Sequence, residues 1–201
     1  MRRFAVILCG MVSLALLAGG GIARADGEQS TPKGALKYFD RVAGDPNVDR
    51  ADVFYYAKTE DERKIAKAFA SVDFALAKLK KIAAARWDSK ASDAMAHALR
   101  DVTPEDIDAA RESVEGDRAT ITGKGFDSPL PMIKVDGAWR ISIPDAMKLS
   151  QATPQQIEQA CTALVDAIEK TQEELQANKY ANPSLLDRAM KRRVRGILGD
   201  S

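Results

Sequence analysis

Few side chains in this sequence have a type and spacing suited to chemistry, and no catalytic set stands out. The adjacent pair Tyr55 and Tyr56 is the best candidate for recognition, because an aromatic ring with a polar tip suits a surface that is half apolar and half wet. On the helix expected at 52–58, neighbouring residues point about 100° apart, so one ring packs inward while the other stays in water. Lys134 and Glu112 are the charged groups expected to reach the inside of a small sheet. Catalysis would need an acid or base tuned by burial, with a hydrogen-bond donor beside it, and no such pair is evident. His97 is the sole histidine; with no second histidine or cysteine pair to join it, no metal site is expected. The run Lys191 to Arg195, KRRVR, reads as a solvated helix face, with contact to an anionic lipid or polymer as the alternative.

The first residues explain the cysteine count. Arg2 and Arg3 precede an apolar run over residues 4–18, and Ala23-Arg24-Ala25 stands before polar Asp26. That is the pattern of a secretory signal peptide whose core is short for a membrane span. The expectation is a signal over residues 1–25 and one domain over 26–201, exported to the periplasm or the medium. No membrane span would remain after cleavage. The whole chain carries 30 Lys+Arg and 29 Asp+Glu; removing Arg2, Arg3 and Arg24 leaves 27 against 29, a net charge of −2. Such a balance offers nothing to nucleic acid. Cys9 leaves with the signal, so Cys161 is left as a small buried hydrophobe on an apolar stripe.

Helix starts are well marked. Thr31-Pro32, Thr103-Pro104, Thr153-Pro154 and Asn182-Pro183 each pair a capping residue with proline in the first turn. Thr59 with Glu62 and Thr153 with Gln156 form capping boxes. Between 59 and 86, Ile65, Phe69, Val72, Leu76, Leu79 and Ala83 recur at steps of four and three, one stripe of a helix roughly 40 Å long. Lys64, Lys67, Lys78 and Lys80 fall off that stripe. Further helices are expected at 32–43, 52–58 and 90–99, with a brief turn at 104–110. Ile157, Cys161, Leu164, Ile168 and Leu175 share a face after residue 154. Leu186, Met190, Val194 and Ile197 share another on the last helix.

Between these helical halves the period drops to two. Trp139, Ile141 and Ile143 alternate with Ala138, Arg140 and Ser142, as in a half-buried strand. Asp136-Gly137 is a type I′ hairpin signal that pairs Val135 with Ala138 and Lys134 with Trp139. Gly116-Asp117 reads the same way. The expectation is α+β: a four-stranded antiparallel meander at 111–115, 118–124, 130–135 and 138–143, packed on the long helix, plus two C-terminal helices at 154–197. The helical half spans 31–110. Leu130, Met132, Trp139, Ile141 and Ile143 form the core face, expected to be covered by the long helix and the helix from Pro154.

The stretches STPKGALKYFDRVAGD, KTEDERKIAKAF, VEGDRATITG and IKVDGAWRISI together resemble uncharacterised exported bacterial proteins. Their sheet half is similar to the nuclear transport factor two-like superfamily, which includes SnoaL-type and ketosteroid isomerase-type enzymes. The similarity covers residues 31–144 and implies a bent antiparallel sheet packed on helices. No catalytic residue of those enzymes carries over. The reading is an exported, non-catalytic binding or interaction domain without a cofactor, whose partner is a protein or small molecule held at the sheet edge or face. The alternative is a small SnoaL-like enzyme, of isomerase or hydrolase type, with a pocket inside the sheet.

Small residues at 23 and 25 place cleavage before Asp26. Sequencing the exported protein should therefore start at Asp26; a chain beginning at Met1 would overturn both the export route and the charge balance.

Overall fold

A computed structural model describes residues 27–87, 102–126, 128–150 and 152–198. The expected signal peptide, the helix at 90–99 and His97 lie outside the described residues. A 3-10 turn, Glu28–Ser30, leads into α1 (Pro32–Val42), followed by α2 (Arg50–Phe54), β1 (Tyr55–Tyr56) and α3 (Glu60–Trp87). Then come α4 (Pro104–Ala109), β2 (Arg111–Glu115), β3 (Arg118–Thr122), β4 (Leu130–Val135) and β5 (Ala138–Ser142). The chain ends with α5 (Ile143–Leu149), α6 (Pro154–Gln176) and α7 (Pro183–Leu198).

The caps form as the sequence dictates. Thr31 Oγ1 accepts from Gly34 N–H at 3.1 Å, and both Thr103–Asp106 and Thr153–Gln156 close reciprocal boxes. Thr59 and Glu62 also bond reciprocally, and Lys58 N–H adds a third bond to Glu62 Oε2 at 2.6 Å. Gly34 has a steric reason: a Cβ there would stand 2.3 Å from the Glu28 carbonyl oxygen. Only glycine lets α1 nest against the turn that precedes it.

The strands pair in the order β1-β5-β4-β3-β2. The meander is antiparallel in the expected register, with Val135 opposite Ala138, Met132 opposite Ile141 and Val114 opposite Ala119. The sheet is nevertheless mixed and five-stranded, not four-stranded. Tyr55 and Tyr56, expected on a helix, form an added strand parallel to β5, opposite Ile141 and Ser142. Helix α2 is too short to hold two β-favouring tyrosines against the ladder that β5 offers. At the other end Ile143 leaves the sheet, because Ser142 Oγ caps α5 by accepting from Asp145 N–H. The two hairpins also differ. Asp136 and Gly137 both have positive φ, as type I′ requires, whereas at Gly116-Asp117 only Gly116 does, the type II′ pattern.

The apolar face carries Ala119, Ile121, Leu130, Met132, Trp139 and Ile141, each buried. Its cover is α1, which lies against β3 and β5, together with the 3-10 turn and α2 on β5. This corrects the expected packing: α3 meets the sheet chiefly at β1, and α6 lies along α3. The stripes of α3 and α6 satisfy each other, and Gln172 Nε2–H reaches across to the Ala75 carbonyl at 2.8 Å. Helix α7 packs on α6. Within the described residues, no helix is long and apolar enough to cross a membrane.

Trp139 joins the face to its cover, since its indole N–H donates to the Ser30 carbonyl at 3.1 Å. Trp139→Ala should cost about 3–5 kcal/mol, the range for emptying an aromatic core site. Denaturant unfolding is the measurement; a change under about 1 kcal/mol would mean that the indole does not anchor the cover to the sheet.

Candidate functional site

The side chains with the most perturbed chemistry lie in the core, where α3 passes the β1 edge of the sheet. Asp73 and Lys80 stand two turns apart on one side of α3 and are 1% and 3% exposed. Asp40 reaches the same region from α1, Tyr55 from β1 and Cys161 from α6, all buried. The Tyr55 hydroxyl donates to Asp73 Oδ2 at 2.6 Å. Its ring is fixed by Phe54 and Phe69, with centroids 6.2 and 5.9 Å away. Asp73 Oδ1 is buried and has no hydrogen-bond partner among the described residues.

Burial dominates the electrostatics. It lifts the Asp73 carboxyl from its ordinary 3.8 to about 7, against the opposing pull of the Tyr55 hydroxyl, Arg50 and Lys80. It lowers the Lys80 ammonium from 10.5 to about 8, although Asp40 and Asp73 favour the charge. Tyr55 is pushed well above its ordinary value by burial and then by Asp73. The Cys161 thiol rises to about 12 for lack of solvation, which keeps it from being a nucleophile. Fully ionised, the two carboxylates and one ammonium would leave one negative charge in the core, and a proton on Asp73 removes it. Arg50 closes the margin. Its Nε–H donates to the Ala43 carbonyl at 2.5 Å, Nη2 donates to the Asp45 carbonyl, and the guanidinium lies 4.3 Å from the Phe74 ring centroid.

The residues singled out by sequence separate. Tyr55 points into the core, and Tyr56 is half-buried on the opposite face of β1. Lys134 lies on β4 opposite Trp139, half-buried, in a different rung from Tyr55. Glu112 faces Ile121 as expected but is exposed on the edge strand, not turned into a pocket. The basic run is partly structural: Arg193 Nη2–H donates to Glu174 Oε2 at 2.7 Å and ties α7 to α6. Bonds from Tyr180 and Arg193 hold the Glu174 carboxyl down at about 2. No group of three or more histidine, cysteine, aspartate or glutamate side chains suited to a metal occurs among the described residues.

Sequence reasoning missed Asp73 and Lys80 and placed Lys80 outside the buried stripe. The signal was present: Phe69, Asp73, Leu76, Lys80 and Ala83 also recur at steps of four and three. Helix α3 is contacted by α6, α2 and β1, so its buried arc is wider than one stripe and takes in both charges.

Comparisons with protein-family models, with curated proteins and with solved structures find no match.

The linkage has a definite sign. A raised Asp73 stabilises fully below about pH 4, and that contribution fades as pH rises to about 7. A lowered Lys80 contributes above about pH 10.5 and loses that contribution as pH falls to about 8. The cluster therefore costs most between about pH 7 and 8. Asp73→Asn, which keeps an acceptor for Tyr55, should gain on the wild type by a few kcal/mol as pH rises from 4 to 7. Equal pH profiles for the two proteins would show that Asp73 is ionised throughout.

Proposed function

We propose that this chain is an exported, non-catalytic interaction domain that engages its partner along the β2 edge of its sheet. One observation carries this reading. Strand β2 ends the strand order, and all five of its residues are exposed. A strand with an unpaired edge is a template for an added strand, whose main-chain hydrogen bonds supply affinity and whose side chains supply selectivity. The opposite edge is short, only Tyr55 and Tyr56, and lies against α2, α3 and α5. The apolar face is filled by α1, and the perturbed groups are sealed, which supports a partner held outside the fold. Arg2, Arg3, the run at 4–18 and Ala23-Arg24-Ala25 support export.

A second reading, a small SnoaL-like enzyme, draws on the Tyr55–Asp73 contact, since a carboxyl near 7 beside a phenol has the tuning an acid–base pair needs. Against it stands the 1–3% exposure of Asp73, Lys80 and Tyr55.

A photo-cross-linking residue at Val114, on the exposed edge strand, separates the two. In exporting cells it should give a discrete protein adduct, while the same group at exposed Lys67 on α3 should give none. Tyr55→Phe should leave the adduct unchanged. Adducts at Lys67 alone, or loss of the Val114 adduct in Tyr55→Phe, would overturn the reading.

A further inference from the structure

We infer that the partner of the β2 edge is a second copy of this chain, paired antiparallel about Ser113; the inference rests on β2 being the docking edge. In a two-residue hairpin, the residues flanking the turn form a hydrogen-bonded pair, and such pairs then alternate with non-bonded ones. Glu115–Arg118, Ser113–Thr120 and Arg111–Thr122 are therefore bonded within the molecule. The N–H and C=O groups of Glu112 and Val114 point out of the sheet. A second β2 can join only in a register that sets these outward groups against each other, which limits the two-fold axis to position 112, 113 or 114.

Charge chooses among the three. An axis at 112 sets Glu112 against its own copy, and like charges directly opposite repel. An axis at 114 overlaps the turn, placing Glu112 opposite the glycine at 116. An axis at Ser113 aligns the whole strand Arg-Glu-Ser-Val-Glu with itself. It pairs Glu112 with Val114 of the other copy through four main-chain hydrogen bonds, and Arg111 with Glu115 twice over. Arg111 and Glu115 meet as a non-bonded pair, the closer of the two kinds of cross-strand neighbour. Each Glu115 would then stand between Arg118 of its own chain and Arg111 of the other. Among the described residues, neither the Arg111 nor the Glu115 side chain has an ion-pair partner within the molecule, whereas Arg118 already holds Asp145 at 2.7 Å. The arrangement is isologous, so it closes as a dimer and does not extend into fibres. Its contact is short, which sets a weak, concentration-dependent dimer.

Sedimentation of the purified exported protein from about 1 μM to about 1 mM should show monomer giving way to dimer. Arg111→Glu places two acids opposite each other in every contact, and Glu115→Arg places two arginines. Either variant alone should weaken dimerisation at least about tenfold. Mixed together they are complementary at both contacts, so the mixture should form a heterodimer of wild-type strength. Circular dichroism of each variant should match the wild type, since both positions are exposed. Variants that dimerise like wild type, or a mixture that stays monomeric, would overturn the register. A wild-type protein that is monomeric throughout would overturn self-pairing. If Val114 then cross-links to a chain of another mass, the edge reading survives and only the identity of the partner fails; if Val114 gives no adduct, the edge reading fails as well.

Discussion

The Tyr55 hydroxyl on Asp73 is the buried hydrogen bond that ties β1 of the sheet to the long helix α3. Helix α3 spans the domain but touches the sheet chiefly at β1, and β1 is two residues long. A pair of backbone-paired residues is a slender junction by itself. The 2.6 Å bond from the β1 ring to the α3 carboxylate, with Phe54 and Phe69 packed on that ring, reinforces it, beside the packing of α2 and α5 on α3. One layer is the sheet under α1; the other is α3 with α6 and α7.

Holding that junction with ionisable groups has a cost that apolar residues would avoid. Taking carboxylates and an ammonium out of water is unfavourable, and their mutual attraction repays it only in part. The upward displacement of Asp73 and the downward displacement of Lys80 both report this, because each group is drawn toward its neutral form. What the cluster offers in exchange is direction. A Tyr–Asp bond and a buried lysine between two acids fit one arrangement of α1, β1 and α3, whereas alanines and leucines would accept several.

The two edges of the sheet are handled in opposite ways. At β1 the chain closes the edge with α2, α3 and α5, and Ser142 turns β5 directly into a helix. At β2 nothing among the described residues covers the edge, and three of its five residues are charged. Charge on an edge strand guards against indiscriminate pairing. Under the proposed function, it still admits a partner whose charges match.

Much of this architecture is legible in the sequence. Thr-Pro and Asn-Pro pairs, the stripe from Ile65 to Ala83 and the Asp-Gly and Gly-Asp turns are local signals whose physics is complete within a few residues. They fixed the helix starts, the meander and its register. The environment of Tyr55 and Tyr56 was not legible, because their strand exists only through β5, which lies more than eighty residues later in the chain. Nor was the cover of the sheet: α1 and α6 both carry apolar faces, and which one reaches Trp139 depends on how α3 and α6 satisfy each other first. The buried charges show the same limit. Asp73 and Lys80 carry the right period for burial, but a helix alone does not say how wide its covered arc will be, and that width is set by the elements packed against it.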